Sequence, residues 1–330
     1  MWDSVLGHEQ NKEFLRNFLE AQARPHALLF CGADGLGKKK LALEFAKTFL
    51  CLNGKGDDGC EACRLLNFAD GNVSHPDFIL VQRLPDKAGL LIDQMRELNK
   101  QAVFAPVLSK NKICIIEDAD TMNEAAANSF LKLLEEPPAG WLIILLASSE
   151  DKLLTTILSR VVKLRFNPLA VADVKQLLVE RDVAAEESEV LARVSEGSVG
   201  TALNLHEQNA LEYRQTALSF LEALPLAMPL NYLAGRAWVE KYERAEAVLF
   251  VKLLQLLLRD MLFVKTGVTA NLYNCDLQEN LTALCGGWQP QGLKKALAAV
   301  NDAYKALNTS TGVKLVMENL ALKIDNFRKE

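Results

Sequence analysis

A basic surplus is missing from this 330-residue chain, in which 37 Lys and Arg stand against 42 Asp and Glu, a net charge of −5. A stand-alone nucleic-acid binder usually carries a cationic excess. That class is disfavoured, and contact with DNA inside a larger assembly stays open. A membrane-spanning run is missing too. The most apolar long stretch, Ala247 to Val264, carries Lys252, Gln255 and Arg259 along one helical face, which marks an amphipathic helix packed on a core. Met1-Trp2-Asp3-Ser4 has neither a basic region nor an apolar run, so no signal peptide is expected. The four histidines form no constellation with Ser, Cys or Asp, and no nucleophilic triad is read. There is no internal repeat and no low-complexity tail. The seven cysteines are odd in number, and Cys31 and Cys114 sit inside apolar strand candidates. That argues against a disulfide framework and for a reducing, cytosolic compartment.

What the chain does have is a glycine-rich loop, Gly32-Ala33-Asp34-Gly35-Leu36-Gly37-Lys38-Lys39-Lys40, between the apolar run Ala27–Cys31 and a helical stretch, Leu41 to Leu50. Strand, loop and helix in that order suit a phosphate-cradling P-loop. Glycines turn backbone N–H groups inward, the helix adds its positive end, and a lysine reaches the terminal phosphates. Gly32, Gly37 and Lys38 fit G-x-x-x-x-G-K-[ST] through its seventh place, with Gly35 between them. The eighth place holds Lys39, where a hydroxyl should ligate Mg²⁺. Together with Lys110 and Lys112, Lys38, Lys39 and Lys40 form small basic clusters, read as solvated lysines.

Length favours two or three domains. Residues 1–167 alternate short apolar runs with helical patterns, the mark of an α/β domain with a largely parallel sheet. Further strands are expected at Phe78–Val81, Ile113–Ile116, Leu142–Leu146 and Val161–Leu164, with helices at Ile92–Val103 and Asn123–Leu134. Asn123 is the expected N-cap of the second helix, and Pro137-Pro138 stops it. Strand signals then vanish. Residues 168–208 read as two or three short helices with a turn at Gly197–Gly200, and 209–330 as helical throughout, with breaks near Pro225–Pro229, Gly286-Gly287 and Pro290. Trp141, Trp238 and Trp288 read as core or interface anchors, because no basic, aromatic-interleaved stretch surrounds them.

Two further patterns carry chemistry. Ile113–Ile116 ends in Glu117-Asp118, and P-loop ATPases use such a strand to bring carboxylates to Mg²⁺ and to the attacking water. The usual order is Asp then Glu, and the reversal alters the reach at each place by one methylene. A plain turn-capping role is the alternative. Cys51-x₈-Cys60-x₂-Cys63 follows the P-loop helix inside a Gly/Asp-rich segment, 51–75, with ligand spacing suited to a structural zinc. A degenerate module with three free thiols is the alternative, and His75 is a candidate fourth ligand.

Several stretches together resemble one family. Asn128–Lys132 followed by Leu133-Leu134-Glu135-Glu136-Pro137-Pro138 resembles the NALLKxLEEPP signature of AAA+ clamp-loader ATPases. Thr156–Val161 is similar to their SRC motif, with Val161 for the cysteine, and Gly197–Ala202 to their second-sensor turn, with Gly200 for the arginine. His75-Pro76-Asp77 also matches bacterial clamp-loader subunits. The likeness runs from about Leu6 to Leu205. It implies an AAA+ P-loop core with a parallel sheet, a helical lid domain and an all-α C-terminal collar domain. It also implies a hetero-pentameric ring with ATPase motor subunits and a delta subunit, which acts on a sliding clamp and primed DNA in the bacterial cytoplasm, at the nucleoid-associated replisome.

In such rings one position is often catalytically silent and lends an arginine to its neighbour's ATP, a role that falls here to Arg160. An ordinary ion pair with a surface acid is the alternative for a single arginine. The related subunits carry a fourth Cys where this chain has Leu66, and they assign His75 to its own turn. With Lys39, Gly200 and Glu117-Asp118 all departing from the pattern, the expectation is a subunit that does not hydrolyse ATP. Gly32, Gly35, Gly37 and Lys38 are then expected to hold ATP or ADP unchanged, with zinc at the cysteines. The alternative is an active ATPase in which Ser149 or a water replaces the lost hydroxyl. A helical adaptor that keeps the fold only for docking is the third.

Overall fold

The computed structural model describes residues 2, 4–68, 73–225, 242–268 and 272–328. Trp238 lies outside them. The chain divides into two compact units, Met1–Asp173 with Ser198–Gly200, and Val174–Gly197 with Thr201–Glu330.

The first unit is built on five short strands: β1 (Ala27–Cys31), β2 (Phe78–Val81), β3 (Lys112–Ile116), β4 (Trp141–Ala147) and β5 (Val162–Arg165). Their order is β2-β3-β4-β1-β5, and every pairing is parallel. Parallel neighbours require crossover connections. The crossovers carry α2 (Lys38–Leu50), α3 (Glu61–Leu65), α4 (Ile92–Ala102), α5 (Glu124–Glu135) and α6 (Thr155–Leu158), and α1 (Glu9–Glu20) precedes β1.

The period-two alternation of strand side chains sorts the core into two layers. Leu28, Phe30, Ile113, Ile115, Leu142 and Ile144 pack with Leu15 and Phe18 of α1 and Leu41 and Phe45 of α2. Their neighbours Ala27, Leu29, Cys114, Ile116, Ile143 and Leu145 pack with Met95 and Leu98 of α4 and Phe130 and Leu134 of α5. The interior strands β3 and β4 are therefore buried at every position. Asn123 does cap α5, its side chain accepting from the Ala126 amide at 2.9 Å.

A buried polar knot ties the sheet's entry loops together. Asp77, fully buried just before β2, accepts from the amides of Val107, Leu108 and Ser109 at 2.7, 2.8 and 2.7 Å. The Asp77 amide donates to His75 Nδ1 at 3.0 Å, and the Ser109 hydroxyl donates to the Leu50 carbonyl at 2.6 Å. The His-Pro-Asp turn is thus a clamp on the loop that feeds β3.

The second unit is helical throughout its described residues. After α7 (Val171–Val179), α8 (Ala185–Val194) and α9 (Val199–Glu207) come α10 (Ala210–Glu222), α11 (Arg244–Lys265), α12 (Gln278–Cys285), α13 (Pro290–Leu307) and α14 (Val313–Arg328). The apolar side of α11 is central to their core, and Phe250, Leu254, Leu257 and Met261 pack there with Leu221, Trp288, Val300 and Leu320. No described helix is long and apolar enough to cross a membrane. Asp260 is fully buried on α11 and accepts from the Asn274 amide, the Asn274 side chain and the Tyr273 amide at 2.7, 2.8 and 3.2 Å. Arg259 beside it lies over the rings of Phe263 and Tyr273, 4.2 and 3.9 Å from their centroids.

Burial pushes the Asp77 carboxyl up, but the amides of Ser109, Val107 and Leu108 outweigh it and hold it below its ordinary value. Its stabilising contribution is complete above the unfolded-state pKa, about 4, and is lost as pH falls through the lower folded value. Asp77→Ala should cost roughly 2–4 kcal/mol in urea melts at neutral pH, because three buried donors lose a charged acceptor. Asp77→Asn should shed part of the acid sensitivity below about pH 4. Melts identical to wild type would contradict the clamp.

Candidate functional site

The P-loop follows β1 and runs into α2, whose first residue is Lys38 because Gly37, at φ 86°, stands as its N-cap. The Lys38 side chain turns back into the loop. Its ammonium donates to the Gly32 carbonyl and, at 2.8 Å, to the Ala33 carbonyl, and pairs with Asp34 at 3.5 Å. Lys38 is only 8% exposed and Lys112 only 5%. The expectation of solvated lysines fails for both, since each aliphatic stem is swallowed by the packing around it.

Lys39, which replaces the metal-ligating hydroxyl, reaches Glu117 at 2.7 Å. Glu117 also accepts from Gln82 at 3.0 Å, and Asp118, at φ 49°, pairs with Arg83 at 2.7 Å. Both acids of the reversed pair are therefore engaged by cationic or amide groups of the same unit. Ser149 offers no substitute hydroxyl to the loop. It caps the turn Glu150–Lys152, accepting from the Asp151 amide at 3.2 Å.

The segment Ser198–Gly200 sits on the P-loop crest. The Gly200 amide donates to the Gly35 carbonyl at 3.0 Å, and the Ser198 hydroxyl donates to the Asp34 carbonyl at 2.9 Å. A Cβ on Gly200 would lie 2.6 Å from Gly35 Cα. The missing arginine is thus part of a close backbone approach that no side chain allows. On another side of the loop, His8 Nε2 meets the Leu36 carbonyl at 2.8 Å while its ring packs on Phe166, and burial lowers its pKa.

Arg160 lies elsewhere. It pairs with Glu135 at 2.8 Å and donates to the Thr156 carbonyl at 2.8 Å. Val162 is in register with Leu28, so Arg160 precedes that level by two residues while Gly32 follows it by four. Six residues of strand rise put the two roughly 20 Å apart along the sheet axis. The contact between His26 and the Leu134 carbonyl, 2.9 Å, confirms that the end of α5 adjoins the entry to β1.

The cysteine module closes into a cluster. Cys51, Cys60, Cys63 and Asp58 bring one potential ligand atom each within 4.8 Å of one another. Sulfur–sulfur distances are 3.8 Å (Cys51–Cys60) and 3.5 Å (Cys60–Cys63). Asp58 Oδ1 lies 3.5 Å from Cys51 and 3.6 Å from Cys63. A tetrahedral Zn²⁺ requires edges of about 3.8 Å between sulfurs and about 3.5 Å between sulfur and carboxylate oxygen, so the four donors fit. Asn53 holds the other carboxylate oxygen at 2.5 Å. Burial raises the Cys51 pKa, but the amides of Gly56, Asn53 and Lys55 outweigh it and lower it overall. Burial pushes Cys63 up to about 12. His75 is in the Asp77 knot and not in the cluster, and Leu66 is a buried member of the sheet core. Sequence reasoning missed Asp58, although Asp57-Asp58-Gly59 immediately precedes Cys60.

A parallel sheet with a glycine loop at the exit of an interior strand, an acidic pair at the exit of another and a train of helices behind defines a P-loop module of the AAA+ kind. The fold is shared with a DNA polymerase III gamma subunit-related protein of Thermotoga maritima, at a TM-score of 0.53 and 19% identity, covering 96% of this chain and 99% of that one. The chain belongs to the DNA polymerase III delta-subunit family. The family model described as DNA polymerase III, delta subunit, matches residues 7–170, and its C-terminal counterpart matches 208–325. Among its relatives are subunits named delta-prime. That of Bacillus subtilis (strain 168) is 32% identical, with 94% of each chain covered. That of Escherichia coli (strain K12) is 29% identical over 92% of this chain and 89% of the relative.

The Gly200 contact makes a direct prediction. Gly200→Ala should force the turn off Gly35, lowering stability by about 1–3 kcal/mol through overpacking and speeding amide exchange at Gly200. Unchanged melts and unchanged exchange would show that the approach is not tight.

Proposed function

We propose that this chain is a non-hydrolysing subunit of the DNA polymerase III clamp loader, which lends Arg160 to ATP held by a neighbouring motor subunit. The observation that carries this is the separation of Arg160 from its own P-loop, at opposite ends of one parallel sheet. A guanidinium about 20 Å along the sheet from the loop cannot reach a phosphate cradled there. It is free to meet one on another chain, where a trans arginine is worth about 10³–10⁵ in rate. The pair with Glu135 orients the side chain without burying it. In this reading the partners are motor and delta subunits in a five-membered ring, with the clamp and primed DNA engaged through the complex, in the bacterial cytoplasm beside the nucleoid.

The loop's own chemistry supports silence. Lys39 brings a cation to Glu117, where an active loop presents a hydroxyl and a metal ion. A nucleotide phosphate would have to draw Lys38 off the Gly32 and Ala33 carbonyls before meeting its charge. The same contacts count against the alternative of an active ATPase.

Zinc at Cys51, Cys60 and Cys63, with Asp58 as fourth ligand, completes the proposal. The role is structural, because four protein donors leave no open position, and the ion ties the end of α2 to α3.

Two experiments test these readings. In the complex reconstituted with motor and delta subunits, Arg160→Ala should remove one site's share of ATP turnover while assembly is kept. The isolated chain should show no Mg²⁺-dependent hydrolysis, so turnover by it that Lys38→Ala abolishes would overturn the assignment. The reduced, purified chain should contain one zinc, and Asp58→Ala should bind it roughly ten- to a hundredfold more weakly. A metal-free wild type, or Asp58→Ala with unaltered affinity, would remove Asp58 from the site.

A further inference from the structure

The three thiols of the cysteine cluster are unequal. Cys51 is buried, and its sulfur accepts from the backbone amides of Gly56, Asn53 and Lys55. Cys60 is only partly buried and stands as the N-cap of the short helix α3. Asp58, the carboxylate donor beside it, is exposed. Solvent therefore reaches the cluster on the side of Asp58 and Cys60. Oxidation of a cysteine follows thiolate character and exposure, and both single out Cys60 over Cys51.

Cys60 also has a second thiol at hand. Its sulfur lies 3.5 Å from that of Cys63 and 3.8 Å from that of Cys51. Cys60 and Cys63 share the first turn of α3, where the Arg64 amide donates to the Cys60 carbonyl at 3.0 Å. Two thiols on one turn join with little movement of the rest of the chain, as Cys-x-x-Cys pairs do in thiol redox sites. Cys51 ends α2 and reaches Cys60 only across the 52–59 loop, whose Gly56 backbone lies on Thr48.

The donor count sets the consequence. A structural zinc takes four protein donors, here three sulfurs and one carboxylate. A bond between two of the sulfurs leaves Cys51 and Asp58 alone, too few to keep the ion.

We propose that Cys60 and Cys63 are a peroxide-sensitive thiol pair whose disulfide releases the zinc and frees α3 from the end of α2. The inference rests on reading zinc at Cys51, Asp58, Cys60 and Cys63. Coordination keeps the sulfurs as thiolates, the nucleophilic form. The Cys60 thiolate attacks one oxygen of hydrogen peroxide, the O–O bond breaks, hydroxide leaves and Cys60 becomes a sulfenic acid. The Cys63 thiolate then attacks the Cys60 sulfur, the S–O bond breaks and a second hydroxide leaves. The two sulfurs lose two electrons, the peroxide gains two, and two solvent protons turn the hydroxides into water. A dithiol reductant reverses the modification, so a reducing compartment holds the pair as thiolates.

The test uses the reduced, zinc-loaded full chain. Hydrogen peroxide should release its one zinc to a chromogenic chelator, one ion for each disulfide that peptide mapping places at Cys60–Cys63, with Cys51 still open to alkylation. Amide exchange at Asn53, Lys55 and Gly56 should speed up, and dithiothreitol with added zinc should restore the loaded state. Exposed Cys275 is the internal gauge of oxidation. Zinc kept while Cys275 is oxidised overturns the inference and leaves the zinc reading standing. A disulfide that includes Cys51, or a Cys60 sulfinate in place of the disulfide, overturns it as well. A reduced wild type that holds no zinc overturns the zinc reading and this pair's role with it.

Discussion

Strand polarity is the constraint on which the rest depends. Five parallel strands send every carboxyl-terminal loop to one end of the sheet and every entry loop to the other. The P-loop and Glu117 share the first end, while Arg160, Pro137-Pro138 and the Val103–Val107 loop share the second. No side-chain rotation moves a group from one end to the other. The P-loop and the Arg160 side chain are therefore out of each other's reach within one chain. The polarity is itself a product of burial, since β3 and β4 are covered on both faces by helices that only parallel crossovers provide.

At the carboxyl-terminal end the three departures from an active pattern form one consistent set. Lys39 is compatible with Glu117 because the ammonium neutralises a carboxylate that a metal ion would otherwise meet. Gly200 is compatible with Gly35 because two glycine backbones approach where a side chain would clash. The reversed acids are met in turn, Glu117 by Lys39 and Gln82 and Asp118 by Arg83. Each departure alone would leave a polar or steric mismatch in the loop. Together they leave the loop with its own polar groups paired, which a phosphate cradle kept in the folded state requires.

Much of this was legible in the chain. The short apolar runs between helical patterns predicted the parallel sheet, the Gly-Lys spacing predicted the loop, and Asn123 with Pro137-Pro138 bounded α5. Three features were not legible, for physical reasons. Lys112 looked solvated because a lysine in sequence carries no sign of its stem's burial. Asp58 was passed over because a carboxylate becomes a ligand only when a loop folds it against thiols, and Asp57-Asp58-Gly59 reads first as a turn. His75 attracted attention as a zinc ligand by type, yet Asp77 two residues later captures the segment through three amides, and no spacing rule foresees that.

The same knot explains why the entry loops are held so precisely. The core would survive a looser connection between α4 and β3, since Met95, Leu98 and Ile116 pack without it. Holding Asp77 buried, with its charge met by three amides, costs desolvation that a plain turn avoids. The return is positional. The carboxylate fixes the backbone beneath Val107 and therefore the height and direction of the apolar side chains above it. The Asp77 knot thereby sets the backbone at the entry end of the sheet.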